Sequence, residues 1–490
     1  MESMTRGNQP MTNLTYCNPL PLPDYPRGRE SRRKREPNSG GWLNNGARRD
    51  FREMADPSVL FHEGKWYLYP SGDMAWVSED FVTWRHVTMN VSDIGYAPTI
   101  LALRGRFYLT ASEGAPLYVA DAPLGPWQVV GPIRRADGQP FPYVHDPMYF
   151  ADDDGRVFLY WGCGGPGIYG VEVDAQHPEI VRTEPLWLFG YNPEHAWERF
   201  GVHNEDPSQS YVEGAWMLKH GSRYYLTYAA PGTEFASYGM GTYVADAPLG
   251  PFRYPARNPI LSDTTGLVRG PGHGCLVRGP NDTLWAFYTC TRCYHHVFER
   301  RIGCDPAGFD ADGNLFVHGA SETPQLAPGL RPHPELGNDA GLLPVTMSKT
   351  CHASSEAPGR VCTYAVDGSL RTWWEAAADD REPWLHIDLR SRFAVSSARI
   401  IWAEPNLDYD HAPPGPFRYR IEGRNGAAGA WQTLVDRTSN TTDLLIDYVR
   451  FPEQDVTEVR LTVTNAPTGV GIGVEDFTVF GVGYLPRQEG

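Results

Sequence analysis

The chain has 490 residues, a formal charge of −16 and a pI near 5.4, which excludes nucleic acid or an anionic membrane as its main partner, because binding phosphate needs a basic face. The length exceeds what one hydrophobic core usually organises, so two domains or one large all-β unit are expected. Aromatics at 12% with 43 prolines and 51 glycines favour short strands and tight turns, and no run of about 18 apolar residues offers a transmembrane span.

Residues 1–50 read as an N-terminal extension and rim loop. The start, Met1 to Gln9, lacks the apolar core of a secretory signal. That points to a cytoplasmic protein, or to a secreted one if the true start lies upstream. Arg27 to Arg52 sets nine Arg/Lys against three acids and reads as a solvated loop or as a rim touching substrate or a partner subunit.

Residues 51–320 repeat one phrase five times. The copies open at Ala55-Asp-Pro-Ser-Val-Leu-Phe, Tyr96-Ala-Pro-Thr-Ile-Leu, His145-Asp-Pro-Met-Tyr-Phe, Val212-Glu-Gly-Ala-Trp-Met-Leu and Gly272-His-Gly-Cys-Leu-Val. Each opening leads through a turn into an aromatic strand ending in a small or polar residue, such as Lys65-Trp-Tyr-Leu-Tyr or Arg223-Tyr-Tyr-Leu-Thr-Tyr, so each predicts a hairpin. Two closing phrases are nearly identical, Val119-Ala-Asp-Ala-Pro-Leu-Gly-Pro-Trp127 and Val244-Ala-Asp-Ala-Pro-Leu-Gly-Pro-Phe252. Such repetition predicts the blades of a five-bladed β-propeller, and it argues against a large β-sandwich whose hairpins are alike by accident.

Residues 321–345 are rich in Pro and Gly and read as a linker. Residues 346–490 alternate again as short strands, predicting a separate β-sandwich of the jelly-roll kind. The fold class is therefore all-β throughout. Eight scattered cysteines are too sparse for a disulfide scaffold. Cys351 and Cys362 could pair but are expected reduced, and Cys290, Cys293, His295, His296 and Cys304 make only a weak zinc pattern.

In a propeller the innermost strand of every blade starts near the axis, so the five openings converge. Asp56, Asp146 and Glu213 then meet at one mouth, with Tyr96 and His273 from the other two blades. Three acids together are costly unless they do chemistry or hold a cation. Cleaving a glycosidic bond needs one carboxylic acid to protonate the leaving oxygen and one carboxylate to activate water or attack carbon, and a third acid can keep the first protonated.

The motifs Ala55-Asp-Pro-Ser, His145-Asp-Pro-Met followed by Ala151-Asp-Asp-Asp-Gly-Arg, and Val212-Glu-Gly-Ala resemble those of glycoside hydrolase family 43. The resemblance implies a five-bladed propeller with Asp56 as general base, Asp146 as pKa modulator and Glu213 as general acid. It implies inversion by single displacement, with the Asp56 and Glu213 carboxyl groups roughly 6.5 to 9.5 Å apart. Gly272-His-Gly-Cys-Leu resembles the family's central His motif, which would give His273 an axial role toward a water or a calcium ion. Tyr96-Ala-Pro stands where the family has Trp-Ala-Pro, so Tyr96 is a candidate sugar platform, with core packing the alternative. Arg300 matches the Arg of the last blade, although Arg301 replaces the Glu that follows it there.

His145, beside Asp146, is a further candidate for substrate binding. So are Trp197 and His203 in the insertion Phe189 to Ser210, a polar and aromatic mix suited to sugar hydroxyls. With the segment Pro19 to Arg52, that insertion could wall a groove into a pocket. Ala365-Val-Asp-Gly-Ser-Leu-Arg-Thr-Trp-Trp374 and Gly473-Val-Glu-Asp-Phe resemble the discoidin, or coagulation factor type C, sandwich of family 32 carbohydrate-binding modules. That resemblance implies Asp367 and Glu475 as contributors to a structural calcium site, and Trp373 and Trp374 as core residues or sugar binders. The chemistry needs no cofactor. The expected activity is an inverting exo-glycosidase releasing terminal arabinofuranose or xylose from oligo- or polysaccharide. The alternatives are a β-galactofuranosidase or exo-β-galactosidase on the same scaffold, and a non-catalytic sugar-binding propeller. Oligomeric state has no sequence signal.

Overall fold

The computed structural model describes residues 14–26, 29, 52–92, 94–112, 114–292 and 296–483. Five sheets follow one another along the chain, antiparallel but for one short parallel pair in the third, Arg134–Arg135 with Ile180–Val181; in the other four the innermost strand comes first. Blade one is Ser58–His62, Lys65–Tyr69, Met74–Ser78 and Arg85–Thr88, and blade two is Thr99–Leu103, Arg106–Thr110, Leu117–Ala120 and Gln128–Gly131. Blade three is built on Met148–Ala151, Val157–Trp161 and Ile168–Val173, with short outer strands all attached beyond Ile168–Val173. Blade four is Glu213–His220, Arg223–Ala230, Gly239–Ala245 and Leu261–Ser262, and blade five is Arg269–Arg278, Leu284–Thr291, Arg300–Phe309 and Leu315–Val317.

Local chemistry explains the hairpins. In the first two blades the inner turn is a two-residue loop, Glu63-Gly64 and Arg104-Gly105, with φ of 49° and 76°, then 53° and 75°. Positive φ at both positions matches the twist of a tight hairpin, and glycine supplies it without steric cost at the second. The aromatic second strands are buried on both faces, as in Val157–Trp161, because each blade packs against two neighbours.

Five apolar clusters fill the gaps between successive blades. Tyr67 and Val77 meet Ile100 and Leu109; Leu101 and Leu117 meet Val157 and Leu159. Phe158 and Tyr160 meet Met217 and Leu226; Tyr225 and Met240 meet Leu276 and Ala286. The fifth gap, between blades five and one, is filled by Trp66, Leu68, Trp285 and Phe287 together with Tyr16, Leu20 and Leu22. Part of the N-terminal extension is thus core. Asn18 is stitched to blade five, its Nδ2 donating to the Cys304 carbonyl at 2.9 Å and its Oδ1 accepting from the Cys304 amide at 3.0 Å.

Thr15–Tyr16 also pairs with Gln325–Leu326, and Leu343–Pro344 pairs with the last strand of the sandwich, so the stretch 321–345 is held at both ends. Of the basic segment Arg27 to Arg52, only Arg29 and Arg52 are described. Arg52 is buried in ion pairs, not solvated; the rest of the segment, with any wall it forms, lies outside the described residues.

The C-terminal sandwich centres on the long strands Trp384–Trp402, Ile446–Asn465 and Gly473–Gly483. Its core holds Trp374 and Trp402, the latter stacked on Phe417 at 4.1 Å between centroids. Trp373 and Trp374 are both buried, as core residues. The seven cysteines among the described residues are free thiols. Cys293 and His295 of the zinc pattern lie outside those residues, while Cys290 and Cys304 are buried in blade five. Among the described residues no helix is long and apolar enough to cross a membrane.

Candidate active site

Every blade bends into the left-handed region of φ, just before or near the start of its inner strand in blades one to four and within Arg269–Arg278 in blade five. The residues are Asp56 (52°), Ala97 (51°), Asp146 (52°), Gly214 (64°) and His273 (36°). Such φ values carry strain for side chains other than glycine, most for His273 and Ala97, and they cluster where a structure over-determines them. Here the preceding blade does so. The Asp56 amide donates to Thr289 Oγ1 at 2.8 Å, Ala97 to Ser71 Oγ at 3.0 Å and Asp146 to Ser112 Oγ at 2.7 Å. The carbonyls just before these bends accept equivalent amides, Ser71 N on Ala55, Ser112 N on Tyr96 and Gly162 N on His145.

This register corrects the equivalence expected from sequence. Asp56, Asp146 and His273 do share one structural position, but its occupants in blades two and four are Ala97 and Gly214. Tyr96 and Glu213 stand one residue earlier, level with Ala55 and His145. Glu213 is therefore not a third copy of the same aspartate position. A bulge between Glu213 and Trp216 accompanies the offset.

Asp56, Asp146, Glu213, Tyr96, His145, His273 and Arg300 all line one cavity of about 230 Å³. Arg300 grips Asp56 with two bonds, Nη1 to Oδ1 at 3.0 Å and Nη2 to Oδ2 at 3.2 Å, and Ser71 Oγ donates to Asp56 Oδ2 at 2.7 Å. Such a bidentate pair favours the carboxylate. Arg300 also binds Glu53 on its far side, so this residue, expected to touch substrate, holds Asp56. His273 Nδ1 stands between two acids, 3.5 Å from Asp56 Oδ1 and 3.7 Å from Asp146 Oδ2. Asp146 accepts from Ser112 Oγ at 3.1 Å and from the Gly214 amide at 3.4 Å.

Glu213 lives in different surroundings. Tyr238 donates to its Oε1 at 2.6 Å and Cys163 to its Oε2 at 3.1 Å. Burial raises its pKa first and the Asp146 charge second, against the opposing pull of His273, Tyr238 and Cys163. Two carboxyl groups lining one cavity thus have contrasting surroundings: Asp56 is gripped by an arginine, and Glu213 is driven toward its neutral form by burial and by Asp146.

Several of these residues escape a reading of the sequence alone. Cys163, Glu234 and Phe298 line the cavity, and Tyr238 reaches it through Glu213. The available signal is positional: Ser71, Ser112 and Thr289 all close the second strand of their blades at one register, where blade three has Gly162, and Cys163 is the next residue. Glu234 and Tyr238 lie on the connection between two strands of blade four, where spacing carries no message.

Other expectations fail. Trp197 faces away from the cavity, donating from Nε1 to Tyr254 at 2.9 Å and packing on Tyr228. The insertion folds on itself around buried Glu198, which binds His195 at 2.7 Å and Tyr228 at 2.5 Å. His203 is exposed and lines a separate cleft with Arg269, Gly368 and Leu370. The calcium pair does not fit. Asp367 is spent on its own turn, accepting from the Ser369 amide and Thr372 Oγ1, while Glu475 is buried and paired with Arg292. Among the described residues no group of three His, Cys, Asp or Glu side chains is placed to hold a metal.

A five-bladed propeller with an arginine-gripped aspartate and a buried glutamate of raised pKa facing one small cavity has the equipment of an enzyme that hydrolyses glycosidic bonds. Residues 52–315, more than half of the chain, match the model of glycosyl hydrolases family 43, and the chain belongs to that family. Residues 364–461 match a model described as a NedA-like, galactose-binding domain. Relatives include a β-D-galactofuranosidase of Aspergillus niger, 27% identical over 53% of this chain and 81% of its own length. A β-xylosidase of Xylanibacter ruminicola is 25% identical over 47% and 90%, and a xylosidase/arabinosidase of Humicola insolens 26% identical over 43% and 82%. A thermostable family-43 glycoside hydrolase of known structure is 25% identical, covering 59% of this chain and 98% of its own, with a TM-score of 0.47. The protein is a glycoside hydrolase, and its substrate is a saccharide.

Proposed function

We propose that the protein is an inverting, exo-acting glycosidase that releases terminal arabinofuranose or xylose. The observation that carries the reading is the contrast between Asp56, gripped by Arg300, and Glu213, raised in pKa by burial and by Asp146. Glu213 gives its proton to the leaving oxygen as the glycosidic bond breaks. Asp56 takes a proton from the water whose oxygen bonds to the anomeric carbon from the opposite face. Both events belong to one displacement, so the anomeric configuration inverts.

Exo action is supported by size. A cavity of about 230 Å³ falls below the roughly 300 Å³ floor of pockets that hold drug-sized ligands, and it suits a single sugar ring. Tyr96 and Phe298 line it with aromatic rings, and His145 and Glu234 with polar groups suited to hydroxyls. A galactofuranosidase is the second reading, favoured by the Aspergillus niger relative. The test is a screen of nitrophenyl α-arabinofuranoside, β-xyloside, β-galactofuranoside and β-galactoside, with the first-formed anomer followed by NMR. Turnover of a pentoside with inversion is expected. Retention, or release of internal oligomers from linear arabinan, would refute the reading.

A further inference from the structure

Two segments of the propeller carry the groups around Asp56, and both are tied to the C-terminal sandwich through buried arginines. The first is the run from Arg52 to Asp56. Arg52 binds Asp24 of its own domain and Glu404 and Asp443 of the sandwich, the last at 2.9 Å. The next residue, Glu53, holds the far side of Arg300, and the Met54 amide donates to the Arg300 carbonyl at 3.1 Å.

The second segment is the end of blade five where Leu284–Thr291 pairs with Arg300–Phe309, extended by the Arg292 amide donating to the Glu299 carbonyl at 2.8 Å. It presents Phe298 to the cavity and leads directly into Arg300. The Arg292 guanidinium is fully engaged: Nη1 meets Glu299 at 2.8 Å, Nε and Nη2 meet the two carboxylate oxygens of Glu475 at 3.1 and 2.7 Å, and Nη2 also donates to the Trp402 carbonyl at 2.6 Å. Glu475 and Trp402 belong to the sandwich. Arg301 joins the two segments, its Nη1 donating to the carbonyls of Arg52 and Arg300, both at 2.6 Å.

We propose that the C-terminal sandwich is a positioning part of the catalytic site: Glu404 and Asp443 through Arg52, and Glu475 through Arg292, fix the two segments that set Arg300 against Asp56. Rigidity is the physical reason. Taking the carboxylate away from a buried, paired arginine leaves an uncompensated charge, so each tie resists displacement of the backbone that carries it. Arg300 itself touches nothing of the sandwich in these bonds. It is placed from both sides by neighbours that do.

The inference rests on Asp56 as the general base. Its charged and titratable surroundings are Arg300 and His273 from blade five, Tyr238 from blade four and Asp146 beyond His273, with Glu53 behind Arg300. Loosening Arg300 weakens the interaction that favours the Asp56 carboxylate. The acid limb of kcat/KM, where activity is lost as the base protonates, then moves to higher pH.

The experiment compares Glu475→Gln and Glu404→Gln with Asp476→Asn in the full chain. Asp476 neighbours Glu475 and is also buried against an arginine, Arg399, that binds the propeller through the carbonyls of Asn18 and Glu322; that tie touches neither segment directly and reaches blade five only through Asn18 at Cys304, four residues beyond Arg300. All three variants are expected to melt earlier. Only Glu475→Gln and Glu404→Gln should lose about ten- to a hundredfold in kcat/KM and move the acid limb up by about half a pH unit. If Glu475→Gln does not fold, Glu475→Asp, which keeps the charge and shortens its reach, is read in its place with the same outcome expected. Profiles of the folded Glu475 and Glu404 variants that coincide with that of Asp476→Asn would overturn the proposal. Asp56→Asn, made alongside, separates the two layers: activity surviving there overturns the base assignment, whereas an inert Asp56→Asn with unmoved Glu475 and Glu404 profiles overturns only the positioning role.

Discussion

Replacing Asp146 by Asn removes one negative charge from the cavity and keeps the planar outline of the side chain; one amide oxygen can still accept from Ser112 Oγ, while the weaker bond from the Gly214 amide, at 3.4 Å, loses its acceptor. The Asp146 charge is the second cause, after burial, of the raised pKa of Glu213. At an effective dielectric of about 20, a unit charge is worth about 4 kcal/mol at about 4 Å and falls off as 1/r, so the scale of the effect is about two pH units. His273 beside Asp146 and the open side of the cavity offset part of this, leaving an expected shift of about one unit. The sign follows from the role. A general acid works while protonated, so hydrolysis is lost as pH rises through its pKa, and Asp146→Asn should bring that loss down by about one unit. The assay is kcat/KM against pH on an aryl pentoside, which reports the free enzyme. A basic limb that stays in place or moves up would refute the role of Asp146.

Cys163 and Gly214 supply two further tests. The Cys163 thiol donates to Glu213 Oε2 and stabilises its carboxylate form, so Cys163→Ser, with a stronger donor, should move the same limb down by a few tenths of a pH unit, and Cys163→Ala should move it up. Shifts of one sign in both variants, seen in pH–rate profiles, would contradict this. Gly214 has φ +64°, and a Cβ there would sit 2.8 Å from Cγ of His273; Gly214→Ala should cost about 1–3 kcal/mol in a urea melt and at least tenfold in kcat/KM, and an unchanged enzyme would sink that account.

The blades are legible in the sequence because each repeat writes its own hairpin, with glycine turns and aromatic strands that need no distant partner to be recognised. Asp56, Asp146 and His273 follow from that, since equivalent positions around an axis must meet. Glu213 is legible as a residue but not in its exact station, because only the hydrogen-bond register shows that Gly214 takes the bend. Arg300 is visible as a candidate, yet its work on Asp56 depends on contacts spanning 244 residues. Trp197 and His203 mislead because an insertion rich in polar and aromatic groups satisfies itself internally around Glu198. Glu475 misleads for a related reason: a buried carboxylate looks alike in sequence whether a cation or an arginine neutralises it, and here the arginine comes from the other domain.

The account's central claim is that Glu213 gives the proton to the leaving group. Its most direct measurement is the rate of Glu213→Gln, relative to the unaltered enzyme, across glycosides whose leaving groups differ in acidity. General acid catalysis is worth about 10²–10⁴ where the leaving oxygen needs a proton. The predicted loss is of that size with an alkyl or sugar leaving group and shrinks to within about tenfold with dinitrophenolate, which departs unaided. An equal loss for every leaving group, or no loss at all, would contradict the claim.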